Sequence, residues 1–249
     1  EDIRKKIALF CNVKEDCVIS NTTVDCLYKA PMMLHENGLD TVVCRELGIK
    51  KRLDLKPWKK LIADINARKG KVTIAMVGKY VKLHDSYLSV IEALNHASFS
   101  NRVFVELKWI DSETLNDENI DKMLADVDGV LVPGGFGTRG VEGMIVACRY
   151  AREHNIPYLG ICLGMQISVI EFARDVTGLS NATSGEMGEG SKVIDLMPDQ
   201  LGKEKGGTMR LGAYACKVKP DTLLAKAYGA DVISERHRHR YEFNNDFRQ

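Results

Sequence analysis

Short apolar stretches alternate with amphipathic stretches along the chain after Gly70. Apolar runs of this length are typical of buried strands, and apolar side chains repeated every three or four positions are typical of helices. The predicted strands are residues 72–77, 103–110, 128–132 and 157–161. The predicted helices are residues 86–97, 119–124, 141–153 and 163–173. Because strand and helix alternate, we expect an α/β fold in which a parallel sheet carries helices on both faces.

The residues before this alternation follow another pattern. Apolar runs at residues 7–11 and 17–20 predict two short strands. Residues 21–23 predict the N-terminal cap of a helix that has Pro31 near its end, and the helical pattern then continues to a stop at Gly38. A separate amphipathic helix with solvated lysines is predicted at residues 55–67.

The composition is that of an ordinary globular protein, with 249 residues, 45% apolar and 28% charged. A net charge of +1 gives no reason to expect nucleic acid or a membrane surface as a partner. No apolar run approaches the roughly 18 residues of a membrane span. Seven cysteines without C-x-x-C spacing indicate neither a zinc site nor a disulfide framework, so we expect reduced thiols and a cytoplasmic location.

Cys162 is the candidate nucleophile. It lies in Gly-Ile-Cys-Leu-Gly between a predicted strand and a predicted helix, where a tight turn exposes the side chain. The N–H groups at the start of the helix are expected to lower the pKa of the thiol. The alternative is a small buried apolar residue, which is the commoner role of a lone cysteine.

A second motif favours the reactive interpretation of Cys162. The predicted strand at 128–132 runs directly into Pro-Gly-Gly-Phe-Gly-Thr-Arg-Gly at residues 133–140. A glycine-rich loop at the end of a strand leaves backbone N–H groups free to point at an anion. A nucleophile that faces such donors suits acyl transfer, because negative charge develops on the carbonyl oxygen of the substrate.

The later part of the chain has a looser pattern. Residues 177–190 are expected to form a polar loop. The basic cluster at residues 236–242 is the strongest local charge feature, and such a cluster is most often a solvated face. On an extended strand, however, Arg236, Arg238 and Arg240 would point to one side and suit a carboxylate or phosphate.

Several of these motifs resemble those of one enzyme family. PGGFG at 133–137 and GICLGMQ at 160–166 are similar to the class I glutamine amidotransferase signature. The segments similar to CTP synthases in particular are GKY at 78–80, DSYLSVIEAL at 85–94, GGTMRLG at 206–212, RHRHRYE at 236–242 and KIALFCNV at 6–13. The resemblance covers essentially the whole chain.

The resemblance implies a flavodoxin-like glutaminase domain, preceded by the tail of a P-loop-type α/β synthetase (amidoligase) domain. The expected boundaries are 1–54 for the end of the synthetase domain, 55–70 for the interdomain linker and 71–249 for a glutaminase domain that is incomplete at its C-terminal end. The chain also begins without Met and ends without a closing element, so we expect an internal piece of a longer protein.

The activity implied by the resemblance is that of a ligase. L-glutamine is hydrolysed in the glutaminase domain, and the ammonia passes through a tunnel to the synthetase domain. There ATP, with Mg2+, activates UTP, and ammonia converts it to CTP. The resemblance also implies a homotetramer, activation by GTP and inhibition by CTP.

The resemblance assigns roles to particular residues. Cys162 would be the nucleophile, and Gly135 and Leu163 would form the oxyanion hole. The implied glutamine-binding residues are Gly135, Leu163, Gly164, Met165, Gln166, Glu186 for the α-ammonium and Arg240 for the α-carboxylate. Lys6 would contact UTP or CTP, and ATP would contact Thr22, Thr23 and Val24, although the family often has a charged pair before the valine. No metal ligand is expected in this chain.

The sequence also departs from the family pattern. It contains no His-Pro-Glu, the family motif that holds the base of the nucleophile, and no phosphate-binding loop or magnesium-binding carboxylates of the synthetase domain are recognised. His237 and His239 are expected to be structural. Two alternatives therefore stay open: a catalytically incomplete glutamine-binding or regulatory fragment, and a different class I amidotransferase or cysteine peptidase with a similar turn at the cysteine.

Overall fold

The computed structural model describes residues 3–50, 53–204 and 209–248. These residues form two compact units. The first unit runs to Gly70 and includes Ala93–Phe104. The second comprises Lys71–Glu92 and the residues from Val105 onward. None of the described helices is long and apolar enough to cross a membrane.

The first unit is mainly helical. Its helices are α1 (Ile3–Cys11), α2 (Ala30–Glu36), α3 (Leu39–Glu46) and α4 (Lys56–Asn66). The predicted strand at residues 7–11 is wrong, because these residues belong to α1, and the predicted strand at 17–20 does not form either. An apolar run this short does not distinguish strand from helix, and the spacing of Ile3, Ile7 and Cys11 is helical.

The helix predicted to follow residues 21–23 begins later than expected. Residues 21–24 have no regular structure, a 3₁₀ turn follows at Leu27–Lys29, and Pro31 lies in the first turn of α2 rather than near a helix end. Proline suits this place, because the first turn of a helix does not use its N–H groups. The stop at Gly38 is confirmed, with φ of 84° between α2 and α3.

Helix α4 agrees with the predicted amphipathic helix within one residue at each end. Ile65 is buried, and the indole Nε1 of Trp58 donates to the carbonyl oxygen of Tyr28 at 2.8 Å. These contacts lie within the first unit. The apolar face of α4 therefore packs on the segment that precedes α2.

The second unit contains a parallel sheet, as expected. Its strands are β1 (Lys71–Gly78), β2 (Phe104–Asp111), β3 (Gly129–Val132) and β4 (Tyr158–Gly160). The spatial order is β2-β1-β3-β4, which is the flavodoxin-like order. Strand β3 pairs in parallel with β1 and with β4, so it lies inside the sheet. All four of its residues are buried.

Helices cover both faces of this sheet. The helices of this unit are α6 (Ile120–Leu124), α7 (Val141–Glu153) and α8 (Leu163–Asp175), whereas α5 (Leu88–Asn101) has residues in both units. Helix α7 has the predicted bounds. Helices α7 and α8 pack together, and Met144, Ile167 and Ile170 are buried in one cluster with β3. The carboxyl end of β3 is thus enclosed by the helices that flank the candidate nucleophile.

The residues after α8 add two smaller sheets. Strands β5 (Ala182–Ser184) and β6 (Ser191–Leu196) pair in parallel, so the polar loop predicted at 177–190 in fact contains a buried strand. Strands β7 (Arg210–Lys217) and β8 (Val232–His239) form an antiparallel ribbon, with α9 (Leu223–Tyr228) between them in the chain. Strand β9 (Tyr241–Phe243) then pairs antiparallel with β6.

One glycine of α7 makes a contact that no other residue type allows. A Cβ atom on Gly143 would lie 1.8 Å from the carbonyl oxygen of Ser112, in the 3₁₀ turn that follows β2. Alanine is normally about 1 kcal/mol better than glycine inside a helix. Here the contact with a backbone atom reverses that preference.

We therefore predict that Gly143→Ala lowers the free energy of unfolding by about 1–3 kcal/mol, because the helix must move away from the turn. The shift of the urea unfolding midpoint measures this effect. The exposed Glu153→Ala on the same helix serves as the control and should change the free energy by less than about 0.5 kcal/mol. A Gly143→Ala variant as stable as the parent would contradict the close contact.

Candidate active site

Two loops meet at the carboxyl end of the parallel sheet. Strand β3 leads into the glycine-rich loop at residues 133–140, and the neighbouring strand β4 leads to Cys162. A Cβ atom on Gly134 would lie 3.5 Å from the Cβ of Cys162. The backbone of the glycine-rich loop therefore lies directly against the cysteine, at the edge of the sheet where such folds place their sites.

Cys162 has an unusual backbone conformation, with φ of 54° and ψ of −103°. A residue with a side chain rarely adopts a positive φ, and such strain is concentrated at functional sites. Helix α8 begins at the next residue, so the cysteine sits in a sharp turn between strand and helix. Cys162 is exposed, whereas Cys148 is buried, and the buried apolar role therefore belongs to Cys148.

The glycines on either side of Cys162 make this turn possible. A Cβ on Gly164 would lie 2.0 Å from the carbonyl oxygen of Val132 in β3, and a Cβ on Gly160 would lie 2.3 Å from the carbonyl carbon of Gly164. Both distances are far below van der Waals contact. Strand β4, the turn and the first turn of α8 can approach β3 only because these two residues lack side chains.

The acidity of the Cys162 thiol differs from the expectation. Although the side chain reaches the surface, the protein around it removes part of its hydration, and this raises the pKa of the thiol. The N–H of Leu163 at the start of α8 donates to the sulfur and acts to lower the pKa, while the negative charge of Glu186 acts to raise it. The predicted lowering is thus wrong in net direction, because desolvation outweighs the helix N-terminus.

The cysteine opens into a cavity of about 320 Å³. The cavity is lined by Gly135, Phe136, Cys162, Gln166, Glu186, Met209, Arg238, His239, Arg240 and Tyr241. Five residues that the sequence analysis assigned to catalysis or glutamine binding are therefore brought together: Gly135, Cys162, Gln166, Glu186 and Arg240. They come from the glycine-rich loop, helix α8, the loop after β5 and the link from β8 to β9.

Three other assigned residues do not line this cavity. Leu163 is buried beside Gly135, where a Cβ on the glycine would lie 3.3 Å from the leucine Cδ2. Gly164 faces β3, as described above. Met165 is 41% exposed on the surface of α8. The side chain of Leu163 is therefore buried, and that of Met165 lies on the surface of α8.

The lining of the cavity carries both negative and positive side chains. Oε1 of Glu186 accepts a hydrogen bond from the N–H of Gly137 at 2.9 Å. Arg238 and Arg240 supply positive charge, and Nη2 of Arg240 reaches the carbonyl oxygen of Glu204 at 3.5 Å. Nε2 of Gln166 donates to the carbonyl oxygen of Tyr241 at 3.2 Å. A ligand with both an ammonium and a carboxylate group matches this charge distribution.

The prediction that Arg236, Arg238 and Arg240 point to one side of a strand is partly confirmed. Arg236 and Arg238 share the exposed face of β8, and His237 and His239 lie on its other face. Arg240 comes after the last residue of the strand. Of the GGTMRLG motif, residues 206–208 lie outside the described residues, and Arg210 begins β7.

His239 lines the cavity, yet both of its ring nitrogens are occupied. Nδ1 donates to the carbonyl oxygen of Tyr241 at 3.1 Å, and Nε2 is hydrogen-bonded to Nδ1 of His237 at 2.8 Å. Burial lowers the pKa of His239, and the neighbouring charges of His237 and Arg210 act in the same direction. The ring is therefore held by the ribbon rather than presented to the thiol.

The sequence analysis missed one residue beside the site. Lys79 directly follows β1 and is only 4% exposed, and its Nζ donates to the carbonyl oxygens of Phe136 and Gly137 in the glycine-rich loop. The lysine is part of the GKY motif, which was used only to support the resemblance. A charged residue at the end of a buried strand is the signal that would have identified it.

The residues assigned to nucleotide binding lie in the first unit. Lys6 is exposed on α1, and Thr22 and Thr23 are exposed in the irregular segment before α2. Val24 borders a groove of about 520 Å³ between this segment, α2 and α4. Among the residues that the structure describes, no group of three or more His, Cys, Asp or Glu side chains is placed to hold a metal ion.

Comparison with known proteins gives the family. The profile described as glutamine amidotransferase class-I matches residues 82–249, and the profile described as CTP synthase N-terminus matches residues 1–49. The CTP synthase of Clostridium acetobutylicum is 55% identical over 253 residues, which cover 100% of this chain and 47% of the relative. The CTP synthase of Clostridium perfringens is 54% identical over 252 residues, with the same shares. The chain thus spans about half the length of these relatives.

A solved structure agrees with this result. The glutaminase domain of Trypanosoma brucei CTPS with bound acivicin has a TM-score of 0.65 and 41% sequence identity, and the match covers 71% of this chain and 69% of that one. The amidotransferase profile alone covers more than half of the chain. The chain therefore belongs to the class I glutamine amidotransferase family and, within it, to the CTP synthases.

Proposed function

We propose that this chain contains the glutamine-hydrolysing site of a CTP synthase, with Cys162 as the nucleophile. The observation that carries the proposal is the turn at Cys162: a strained, exposed cysteine lies against a glycine-rich loop and borders a cavity that is also lined by Glu186 and Arg240. A nucleophile beside backbone N–H donors suits acyl transfer, and the two charges suit a small amino acid substrate.

Glutamine fits the cavity by charge. Arg240 binds the α-carboxylate, and Glu186 binds the α-ammonium. Oε1 of Glu186 already accepts the N–H of Gly137, and a carboxylate can accept hydrogen bonds at both oxygens. Gln166 also lines the cavity, and its side-chain amide donates a hydrogen bond to the carbonyl oxygen of Tyr241. The side-chain amide of glutamine then extends towards Cys162.

The reaction requires hydrogen-bond donors that stabilise a negative charge on the carbonyl oxygen of the substrate. The thiolate of Cys162 attacks the amide carbon of glutamine, and the carbonyl oxygen becomes an oxyanion. The N–H groups of Gly135 and Leu163 receive it; within the described part of the chain, neither donates to a carbonyl oxygen. The amide nitrogen takes up a proton and leaves as ammonia. A glutamyl thioester remains on Cys162, and water then hydrolyses it to release glutamate.

Deprotonation is the step that these residues do not supply. The raised pKa of Cys162 leaves the thiol mostly protonated near neutral pH, and His239 has both ring nitrogens occupied. The raised pKa of the thiol and the occupied ring of His239 favour a second candidate function, in which the chain binds glutamine without hydrolysing it and regulates a synthetase.

The proposal extends to the activity of the whole protein: ATP-dependent amination of UTP to CTP, with Mg2+, GTP as activator, CTP as inhibitor and a homotetramer in the cytoplasm. The names of the relatives and the CTP synthase profile at residues 1–49 support it. We propose the domain boundaries 1–54, 55–70 and 71–249, with Lys6 at UTP or CTP. ATP would contact Thr22, Thr23 and Val24.

In a protein that carries this chain together with the remaining length of its relatives, Cys162→Ala should lower glutamine-dependent CTP formation by about 1000-fold or more, because the nucleophile is lost. CTP formation from ammonium chloride should remain, because ammonia does not need the thiol. The CTP absorbance assay, run with each nitrogen source, measures both activities. The control Cys216→Ala should preserve both, and loss of both activities in a folded Cys162→Ala protein would contradict the assignment.

The raised pKa of Cys162 predicts a steep pH dependence of its alkylation. Only the thiolate reacts with iodoacetamide, and the folded pKa lies above the usual thiol value of about 8.5, so the rate should rise about tenfold per pH unit from pH 7 to 8.5 without a plateau. Peptide mass analysis gives the rate at Cys162. Glu186→Gln removes a negative charge, lowers the pKa and should raise the rate at pH 7.5. A plateau below pH 8 in the parent chain would be inconsistent with the raised pKa.

Glu186 also allows a test of glutamine binding by this chain alone. Loss of a charged hydrogen bond to the α-ammonium should weaken glutamine binding about 10- to 100-fold in Glu186→Gln, measured by isothermal titration calorimetry. Glu189→Gln, an exposed neighbour in the same loop, is the control and should bind as the parent does. Equal affinity in the Glu186→Gln and parent chains would remove Glu186 from the site.

A further inference from the structure

Lys79 is a buried cation whose acceptors all belong to one loop. Its side chain is 4% exposed, and Nζ donates to the carbonyl oxygen of Phe136 at 2.9 Å and to that of Gly137. A buried ammonium group is costly unless it is well hydrogen-bonded. The carbonyl oxygens of the glycine-rich loop therefore stabilise the buried ammonium group, and the same two hydrogen bonds fix the backbone of the loop.

One peptide group of this loop is held from both sides. The carbonyl oxygen of Phe136 and the N–H of Gly137 belong to the same planar unit. The carbonyl accepts from Lys79 at 2.9 Å, and the N–H donates to Oε1 of Glu186, also at 2.9 Å. This peptide cannot turn over without breaking two charge-assisted hydrogen bonds, one to a buried cation and one to a carboxylate.

The stem of Lys79 also supports the neighbouring residue of the loop. A Cβ on Gly135 would lie 3.5 Å from Cδ of Lys79 and 3.3 Å from Cδ2 of Leu163. The lysine itself is anchored, because Nη2 of Arg139 donates to its carbonyl oxygen at 3.1 Å and the same arginine pairs with Glu113. The Cβ-facing side of Gly135 therefore packs against both the fixed lysine stem and the side chain of the first residue of α8.

We propose that Lys79 is the positioning residue of the oxyanion loop: it fixes the Phe136–Gly137 peptide so that the N–H of Gly135 faces the acyl group on Cys162. The proposal rests on the proposed function, because it concerns the same reaction. It adds a link between the parts of the site, since Glu186, which binds the substrate ammonium, holds the other side of that peptide.

Acivicin and iodoacetamide separate this role from a general effect on folding. Acivicin is a glutamine analogue. When a thiolate attacks it, negative charge develops on the ring nitrogen, so this reaction needs the N–H of Gly135 as a hydrogen-bond donor. Iodoacetamide loses iodide by direct displacement and needs no such donor. The rate of each reaction at Cys162 is measured by peptide mass analysis in this chain, and the acivicin data are separated into KI and the limiting rate kinact.

In Lys79→Met we expect kinact for acivicin to fall about 10- to 100-fold, because a small displacement of catalytic groups has an effect of this size. KI and the iodoacetamide rate should change by less than about threefold, since the thiol and the amino acid contacts remain. Lys79→Gln, which keeps one N–H donor, should have an intermediate kinact. The control is Lys82→Met, whose side chain is 91% exposed and whose kinact should equal that of the parent.

The other outcomes would contradict either the proposed function or the positioning role of Lys79. If acivicin does not label Cys162 in the parent chain at a pH where iodoacetamide does, the thiolate is present and the proposed function fails. If the parent is labelled and Lys79→Met has the parental kinact, only the role of Lys79 fails. Equal losses of the acivicin and iodoacetamide rates in both Lys79 variants would show a structural contribution to the turn and would also overturn the positioning role.

Discussion

The arrangement of the whole site depends on one close backbone contact, between the start of α8 and the end of β3. A Cβ on Gly164 would lie 2.0 Å from the carbonyl oxygen of Val132, and Gly160 is equally restricted against Gly164. Since β3 leads straight into the glycine-rich loop, the contact that packs the helix also sets the loop beside Cys162. Burial of the apolar side of α8 then stabilises the strained turn at the cysteine, because the strain must be compensated by packing elsewhere.

Two charged residues, Glu186 and Arg240, determine the electrostatics of the site. Glu186 has three effects at once: it accepts the N–H of Gly137, adds a negative charge to the cavity lining and raises the pKa of Cys162. Arg240 adds a positive charge to the same lining. The proposed recognition of an amino acid uses both charges, while desolvation and the negative charge raise the pKa of the thiol.

Sequence patterns predicted the parallel sheet well and the smaller elements poorly. Helix α7 was predicted with its observed bounds, because its apolar period is long and its glycine neighbours mark its start. The pattern at residues 7–11 predicts a strand where the structure has the end of the helix Ile3–Cys11, because a short apolar run suits both. Strand β5 has only three residues and is stabilised by pairing with β6, a contact that local composition does not encode.

The sequence by itself determined the order of strand, sharp turn and helix around Cys162, because steric limits on neighbouring residues are local and the glycines satisfy them. The charge pattern of the sequence marked Arg240 as a possible carboxylate ligand, whereas Glu186 was reached only through a family resemblance. The tertiary structure decided that Glu186 and Lys79, distant in the chain, hold the same loop, and that Arg240 lines the same cavity as Glu186. It also decided the direction of the thiol pKa, because desolvation and charge act through space and depend on neighbours that only the folded chain supplies.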